Sequence, residues 1–219
     1  MVGMIPYQAD VPMHRWPISN FVLIGVISLC SLAFLSSDNV ETIEPFILNG
    51  WSLTGLLGYM FVHAGLFHLI GNMLFLWVFG NAVCAKVGNL AYPLLFLLFG
   101  IVGGILHNVF SGGLAVGASG AVNGVVAMFL FYYPQNDVTC LWFFFLRGGS
   151  FSISSMWLIL LWLVFDLWGA FAGSAGVAYW AHLGGFAVGA GVAFATLKME
   201  WVEMTRTERS LLDVWDGLG

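Results

Sequence analysis

The stretch GASGAVNGVVAMFLFYY, residues 117–133, combines a glycine-rich start with an uncharged apolar run. With the two residues before it, the run approaches the roughly 20 residues that a helix needs to cross a membrane. Gly120 and Gly124 lie four residues apart, so they share one helix face and allow a neighbouring helix to approach closely. Ser119 lies at the start of the run, where its hydroxyl could simply bond a backbone carbonyl one turn back. The serine alone therefore indicates no function.

The composition of the whole chain is that of an integral membrane protein. Of the 219 residues, 60% are hydrophobic and 8% are charged, whereas about a quarter of the residues in an average soluble domain are charged. The net charge of −5 comes from 11 acidic and 6 basic residues. So few bases exclude a nucleic-acid surface. Cys30, Cys84 and Cys140 form no CxxC pair and lie in or beside apolar segments, so we expect small apolar residues rather than disulfide partners or metal ligands.

The apolar runs predict six membrane spans. Five runs have the required length, namely residues 17–35, 90–110, 115–133, 153–172 and 175–197. Residues 45–85 are also uncharged, but glycines interrupt their first half, and Trp51 and Tyr59 are residues typical of a membrane interface. We therefore predict a loop partly embedded in the interface at about 45–64 and one span at about 65–85.

All the basic residues lie on one side of the membrane if the chain has six spans and a cytoplasmic N-terminus. These residues are Arg15, Lys86, Arg147, Lys198, Arg206 and Arg209. The first outer loop then holds the acidic residues Asp38, Glu41 and Glu44. A second span within 45–85 would put Lys86 and every later base outside, against the positive-inside rule. We expect a multi-pass protein of a bacterial inner membrane with both termini in the cytoplasm.

The chain is predicted to form one membrane domain between two short cytoplasmic segments. Residues 1–16 lack the features of a cleavable signal peptide, so the first span would remain as an anchor. Residues 17–197 hold the six spans, and residues 198–219 form a tail of mixed charge that could include a short surface helix. The predicted fold class is an all-α polytopic membrane protein.

Polar side chains at membrane depth are costly, so each one is a candidate for function. Ser119 lies about four residues inside the outer end of its predicted span and His182 about seven, at depths of roughly 6 and 10 Å. His68 and Asn72 are four residues apart near the outer end of span 2 and share a helix face, whereas His63 lies on another. Three spans that are distant in sequence therefore bring polar groups to one level near the outer surface.

Small residues beside His182 would allow its helix to approach Ser119 closely. They form a ridge at four-residue spacing, made of Ala181, Gly185, Gly189 and Ala193. The hydroxyl and the imidazole could then come within hydrogen-bond reach, about 2.6–3.2 Å. Such an arrangement is typical of a nucleophile and its general base.

Three segments of the chain resemble the signature segments of the rhomboid family of intramembrane serine proteases. They are HAGLFHLIGN at 63–72, GASGAVNG at 117–124 and AHLGGFAVG at 181–189. The segments stand in the family's order on predicted spans 2, 4 and 6, and the resemblance covers nearly the whole chain. It implies a six-transmembrane-helix rhomboid-like bundle with an interfacial loop between spans 1 and 2.

The resemblance also implies catalytic roles for the matching residues. Ser119 would be the nucleophile and His182 its general base. The side chains of His68 and Asn72, with the backbone N–H of Ser119, would stabilise the oxyanion. The family's mechanism needs no third acid, and Asp166 is the one acid whose position would allow it to join.

Supporting residues and partners follow from the same resemblance. Gly117 and Ala118 would clear space beside the serine, and His63 would brace the loop rather than react. The substrates would be single-span membrane proteins with helix-weakening residues and a small side chain at the cut. No cofactor is implied, and a monomer would be sufficient for activity.

Three features depart from the usual family pattern. Asn123, one turn below Ser119, stands where many relatives carry a larger apolar or aromatic side chain, and its amide could hydrogen-bond His182. The loop before span 2 lacks the Trp-Arg pair that is common in relatives, although Trp51 is near. Asp166 near the outer end of span 5 could reach the interface, cap a neighbour, or form a polar element of the lateral gate, which in rhomboids lies largely along that span.

Other interpretations of the polar residues stay open at this point. A rhomboid-like pseudoprotease would bind client transmembrane helices without cutting them, but such proteins typically lose the serine or the histidine. A small transporter would usually show inverted repeats and broken helices. A metal site is disfavoured because His63 and His68 lie on different faces and no HExxH motif is present. His107 and Asn108, at the outer end of span 3, could lie at the interface or line a water-filled cavity.

Overall fold

The computed structural model describes residues 3–37, 39–144, 147–173 and 176–217, so Asp38 of the predicted outer loop lies outside the described residues. Its helices are α1 (Ile18–Leu35), α2 (Val40–Ile43), α3 (Leu53–Gly58), α4 (Leu66–Phe75), α5 (Asn81–Val87), α6 (Ala91–Phe110), α7 (Ser119–Tyr132), α8 (Ser155–Phe171), α9 (Tyr179–Lys198) and α10 (Leu211–Asp216). A π-helical segment, Leu76–Gly80, joins α4 to α5. Short 3₁₀ turns lie at Glu44–Phe46 and Tyr59–Phe61.

Apolar helices dominate the described part of the chain. Within it, four helical segments are long and apolar enough to cross a membrane, namely Ile18–Leu35, Leu66–Val87, Ala91–Phe110 and Tyr179–Lys198. The shorter apolar helices α7 and α8 lie where the other two spans were predicted. The protein is therefore a mostly helical membrane protein, and the count of six spans stays a prediction.

Helices α7 and α9 begin later than the predicted spans at 115–133 and 175–197. Gly117 has a φ of +116° and Gly176 a φ of +91°, and a right-handed helix cannot include such residues. Ser119 is consequently the first residue of α7, not a residue four positions inside it, and His182 lies in the first turn of α9. Both helices start later by the same amount, so the two side chains still lie at similar levels.

The described residues are mostly helical, as expected for an all-α protein, but they also include a three-stranded antiparallel sheet that was not predicted. Its strands are β1 (Gly3–Ala9), β2 (Asp137–Phe144) and β3 (Arg147–Ser154), in the order β1-β2-β3. Ile5 pairs with Leu141, and Cys140 pairs with Phe151. The N-terminal segment and the connection between α7 and α8 are therefore on the same side of the bundle. The predicted domain limits at residues 16 and 197 stay predictions.

Close contact between α7 and α9 forms the centre of the bundle. A Cβ atom on Gly185 would overlap the carbonyl oxygen of Gly120, and one on Gly189 would overlap that of Gly124. The flanking Ala181 and Ala193 of the predicted ridge are buried. Glycine is needed here because only the missing side chains let the two backbones touch. This contact sets how far Ser119 lies from His182.

The predicted interfacial loop consists mostly of short helical turns, and its position in a membrane stays a prediction. Leu48 forms an isolated bridge with Ala115, which ties this region to the segment before α7. The side-chain amide of Asn108 donates a hydrogen bond to the carbonyl of Gly50 at 2.6 Å. These contacts hold the region against the same end of the bundle as Ser119.

The C-terminal tail packs back onto the bundle. The side chain of Ser210 caps α10 by accepting from the backbone N–H of Asp213, whose carboxylate accepts from the N–H of Ser210. Glu208 is buried and accepts a hydrogen bond from Lys86 Nζ at 2.7 Å and another from the N–H of Thr205 at 2.8 Å. The tail is therefore tied to the end of α5.

Candidate active site

Ser119 lies at the N-terminus of α7, where the backbone turns sharply. Gly117 has a left-handed conformation, and Ala118 is fully buried directly before the helix. The first N–H groups of a helix have no carbonyl partner within the helix. The N–H of Ser119 is one of these groups, so a hydrogen-bond donor lies beside the hydroxyl.

The hydroxyl of Ser119 is in hydrogen-bond contact with the imidazole of His182. Ser119 Oγ lies 2.8 Å from His182 Nε2, across the glycine contact between α7 and α9. The side chain of His182 is 13% exposed. A partly buried serine–histidine pair at this distance can pass the hydroxyl proton to the ring when the oxygen attacks an electrophile.

Asp166 contacts the other ring nitrogen of His182. Its Oδ1 lies 2.9 Å from His182 Nδ1, and its side chain is 15% exposed. The sequence analysis left Asp166 open as a residue of the interface, a cap on a neighbour, an element of the lateral gate or the one acid that could join the serine and the histidine. Asp166 lies roughly 7 Å from the end of α8, and His182 roughly 5 Å from the start of α9. The similar depths of Asp166 and His182 in their helices were the feature of the sequence that could have indicated this contact. The role of Asp166 in a lateral gate stays a prediction.

Ser119 and His182 line a cavity of about 570 Å³ between α4, α7 and α9. His68, Asn72 and Asn123 also line it, so the structure brings the predicted site residues around one space. A second cavity of about 470 Å³ shares His68 with the first. A segment of another polypeptide in the first cavity would meet the hydroxyl, the imidazole and the two side chains of α4 together.

His68 and Asn72 lie beside Ser119 as the motif predicts, and their oxyanion role stays a prediction. The His68 ring covers Gly117, since a Cβ there would lie 2.6 Å from His68 Cε1. Asn72 uses one amide hydrogen to donate to the carbonyl of His68 at 2.9 Å. Its other amide hydrogen is available to a bound molecule.

His63 supports the turn that precedes the serine. Its Nε2 accepts a hydrogen bond from the N–H of Ala118 at 3.3 Å, so its Nδ1 carries the ring hydrogen and donates to Ser31 Oγ at 2.8 Å. Ser31 Oγ in turn donates to the carbonyl of Phe61 at 2.8 Å. The buried ring of His63 therefore connects α1 and the turn before α4 to Ala118. We expected His63 to brace only the loop, and the structure shows that it also holds the residue before Ser119.

The expected hydrogen bond between Asn123 and His182 is absent from the described residues. The amide of Asn123 donates to the carbonyl of Ser119 at 3.1 Å, one turn back on the same helix. Both nitrogens of His182 are already occupied by Ser119 and Asp166. Asn123 thus contributes to the wall of the cavity and contacts the backbone of α7.

His107 and the cysteines lie outside this group of side chains. His107 is buried, lines the second cavity and has Nε2 3.3 Å from the carbonyl oxygen of Gly113. Cys30, Cys84 and Cys140 are free thiols. No three His, Cys, Asp or Glu side chains in the described ranges are grouped so that they could hold a metal ion.

A model of the Rhomboid domain matches residues 50–199, which is more than half of the chain. The matched range includes the three signature segments and every residue around the cavity described above. The chain therefore belongs to the rhomboid family.

Proposed function

We propose that this protein is an intramembrane serine endopeptidase that cuts transmembrane segments near the outer face of the bilayer. The observation that carries the proposal is the 2.8 Å contact between Ser119 Oγ and His182 Nε2 in a cavity large enough for a peptide segment. Membership of the rhomboid family also supports the proposal, since proteins of this family are usually intramembrane serine proteases. The serine and the histidine are the dyad of the reaction.

The first half of the reaction forms an acyl-enzyme. A substrate helix enters from the side and unwinds, because a helix hides its carbonyls in its own hydrogen bonds. Ser119 Oγ attacks the carbonyl carbon while its proton moves to His182 Nε2. The negative oxygen is stabilised by the N–H of Ser119 and by the side chains of His68 and Asn72. The C–N bond then breaks as His182 gives the proton to the leaving amine.

The second half of the reaction consumes one water molecule. Water gives a proton to His182 Nε2 as its oxygen bonds the acyl carbon, and the bond between the acyl carbon and Ser119 Oγ breaks when that proton returns to Oγ. The products are a new carboxylate and the restored serine. The chemistry requires no cofactor, and all the groups it uses belong to one chain, which supports a functional monomer.

The proposed topology has six spans, with both termini in the cytoplasm of a bacterial cell. The apolar character of α7 and α8 supports the count, because both pack among the four longer segments. Arg15 and Lys86 line one cavity together with Glu203 of the tail, which supports a common side for the bases. Ser119 lies at the opposite end of the bundle, which supports cleavage near the outer face.

The substrates we propose are single-span membrane proteins with helix-weakening residues near the cut. The preference for a small side chain at the cut follows from the family resemblance, and Val122 and Asn123, one turn after Ser119, line the cavity that would receive that side chain. Helix-weakening residues reduce the free energy needed to expose the carbonyl that is attacked.

A fluorophosphonate probe in native membranes tests the proposal directly. The Ser119 oxygen would bond phosphorus, the P–F bond would break, and fluoride would leave while His182 takes the serine proton. We expect covalent labelling of the parent protein and loss of labelling in Ser119→Ala and His182→Ala. Ser36→Ala is the matched control, because that exposed serine bonds only a carbonyl of its own helix.

Two results would contradict the proposal. Labelling that persists in Ser119→Ala would show that another residue reacts. A folded parent protein that is never labelled would favour the pseudoprotease alternative, in which the same cavity binds client transmembrane helices without cutting them.

A further inference from the structure

We propose that Asp166 is a positioning residue that fixes the ring hydrogen and the charge of His182, so that the site works as a Ser119–His182–Asp166 relay. The inference rests on the proposed protease function. It extends that function by a third side chain, which comes from α8 rather than from the helices that carry the serine and the histidine.

The three side chains form an unbranched chain of two hydrogen-bond contacts. Ser119 Oγ lies 2.8 Å from one ring nitrogen of His182, and Asp166 Oδ1 lies 2.9 Å from the other. The side chains of His182 and Asp166 are 13% and 15% exposed, so bulk water competes little for either contact. The three residues are contributed by α7, α9 and α8.

The carboxylate decides which nitrogen of the neutral ring carries hydrogen. A neutral imidazole has one N–H and one lone pair, and an ionised carboxylate can only accept hydrogen bonds. Contact with Asp166 therefore places the hydrogen on Nδ1, and the lone pair of Nε2 faces Ser119. This is the tautomer that can accept the serine proton, so the carboxylate keeps the ring ready to act as a base.

The carboxylate also stabilises the charge that develops during attack. His182 becomes an imidazolium when it takes the proton of Ser119, and a negative group 2.9 Å away favours that ion in surroundings with little water. Asp166 itself takes no proton in this scheme. The proton moves only between Ser119 Oγ, His182 Nε2 and the reacting groups.

Other ionisable groups near His182 come from several elements but do not substitute for Asp166. Tyr179 of the same helix has its ring centre 6.1 Å from that of His182. His68 of α4 lines the cavity opposite, and His107 of α6 lines the adjoining one. The hydroxyl of Tyr59 donates to the carbonyl of Gly100 at 2.6 Å. Within the described residues, Asp166 is the carboxylate that bonds the ring.

Three variants of Asp166 separate charge from hydrogen bonding. Asp166→Asn removes the charge and keeps a carbonyl oxygen that can accept from Nδ1, Asp166→Ala removes both, and Asp166→Glu keeps both on a longer side chain. The matched control is Glu41→Gln, which removes one negative charge from an exposed residue of α2. Each protein is labelled with the fluorophosphonate probe in membranes over a range of pH.

The expected rates follow from the loss of imidazolium stabilisation. Asp166→Asn and Asp166→Ala should label roughly 10²- to 10⁴-fold more slowly than the parent protein. Asp166→Glu should recover part of the rate, and Glu41→Gln should match the parent.

Nitrogen-15 NMR of histidine-labelled protein reads the tautomer without any reaction. The His182 signal is assigned as the one that disappears in His182→Ala. We expect hydrogen on Nδ1 in the parent protein and a mixture of the two tautomers in Asp166→Ala. A role for Asp166 that is only structural would lower stability but leave the tautomer unchanged, and that result would overturn the inference.

The outcomes distinguish this inference from the proposed function. If Ser119-dependent labelling is equally fast in Asp166→Asn and the parent protein, the protease function stands and the role of Asp166 is refuted. If the folded parent protein is not labelled at all, both proposals fail.

Discussion

At the scale of single residues, the turn at Gly117 and Ala118 creates the site. Gly117 has a φ of +116°, and its missing side chain leaves the space that the His68 ring fills. Ala118 is held by the ring of His63. Ser119 follows as the first helical residue and lines the cavity. The position of Ser119 therefore depends on the rings of His63 and His68.

Gly117→Ala is expected to damage the site through both of these effects. An alanine in a left-handed conformation costs about 1–2 kcal/mol, and its Cβ would push the His68 ring away. We expect labelling by the fluorophosphonate probe to slow by roughly tenfold or more, since small displacements at a reacting centre have large effects. The labelling rate of both proteins is measured in membranes at the same pH, chosen where the rate of the parent protein is highest.

Gly112→Ala is the control for this substitution. Gly112 has a φ of +66°, and a Cβ there meets nothing within 4 Å. The control also places an alanine at a positive φ, with less strain than at Gly117 and without the contact to His68, so it should lower thermal stability but leave the labelling rate near that of the parent. Equal rates in both variants would refute the role of the His68 contact.

At the scale of elements, the contact between α7 and α9 sets the distance between Ser119 and His182. Gly185 and Gly189 lie directly on the backbone of Gly120 and Gly124. Helix α8 lies beside α9 and supplies Asp166. A change in the spacing of these three helices would therefore act on the chemistry without touching a polar side chain.

Gly189→Ala is expected to separate α7 from α9. Its Cβ would overlap the carbonyl of Gly124, so the backbones must move apart. Overpacking of this kind typically costs roughly 1–3 kcal/mol. We expect a lower midpoint of thermal unfolding in detergent and slower labelling of Ser119.

Gly191→Ala, two residues further along α9, supplies the matched control. A Cβ at that position meets nothing within 4 Å, and alanine favours a helix over glycine by about 1 kcal/mol. This variant should be as stable as the parent or slightly more stable. A similar loss of stability in both variants would mean that the contact with α7 does not explain the effect.

At the scale of the whole molecule, the two ends of the chain are tied to the bundle away from the serine. Strand β1 joins the sheet with the connection between α7 and α8, and the tail is fixed to Lys86 by Glu208. Burial raises the pKa of Glu208, but the hydrogen bonds from Lys86 and the N–H of Thr205 outweigh it, so the pKa lies below its ordinary value. The hydrogen bonds from the Ser210 hydroxyl and N–H lower the pKa of Asp213.

The docking of the tail should therefore weaken in acid. A carboxylate whose pKa is lower in the folded state adds stability above its ordinary pKa, and this stability is lost as the pH falls through the lower, folded value. We expect the hydrogen-exchange protection factors of residues 205–216, which correct for the intrinsic pH dependence of amide exchange, to decrease as the pH falls below about 4.5, the ordinary value for a glutamate. Glu208→Gln should exchange faster at neutral pH and lose the part of the pH response that Glu208 causes.

Glu203→Gln provides the comparison for this experiment. Glu203 has an exposed side chain and contributes only its backbone carbonyl to Lys86. This variant should keep the protection of the tail and its full dependence on pH. If both glutamine variants behave alike, the tail is not held by the buried pair.

Several parts of the fold follow from local patterns, and others do not. The predicted spans at 17–35 and 90–110 agree with α1 and α6 to within one residue, because continuous apolar character defines a helix in a membrane. The sheet was not predicted, since β1 and β2 are separated by more than 120 residues and their pairing depends on the folded chain. The late start of α7 depends on the conformation of a glycine.

The sequence by itself determined the membrane class, the family and the residues that surround the cavity. Apolar runs and the three motifs are local, so they can be read without knowing which helices touch. Only the tertiary structure decided that Asp166 meets Nδ1 of His182 and that Asn123 does not bond the ring. These partners depend on how α8 and α9 are rotated against each other, and helix rotation is set by side-chain packing across the whole bundle.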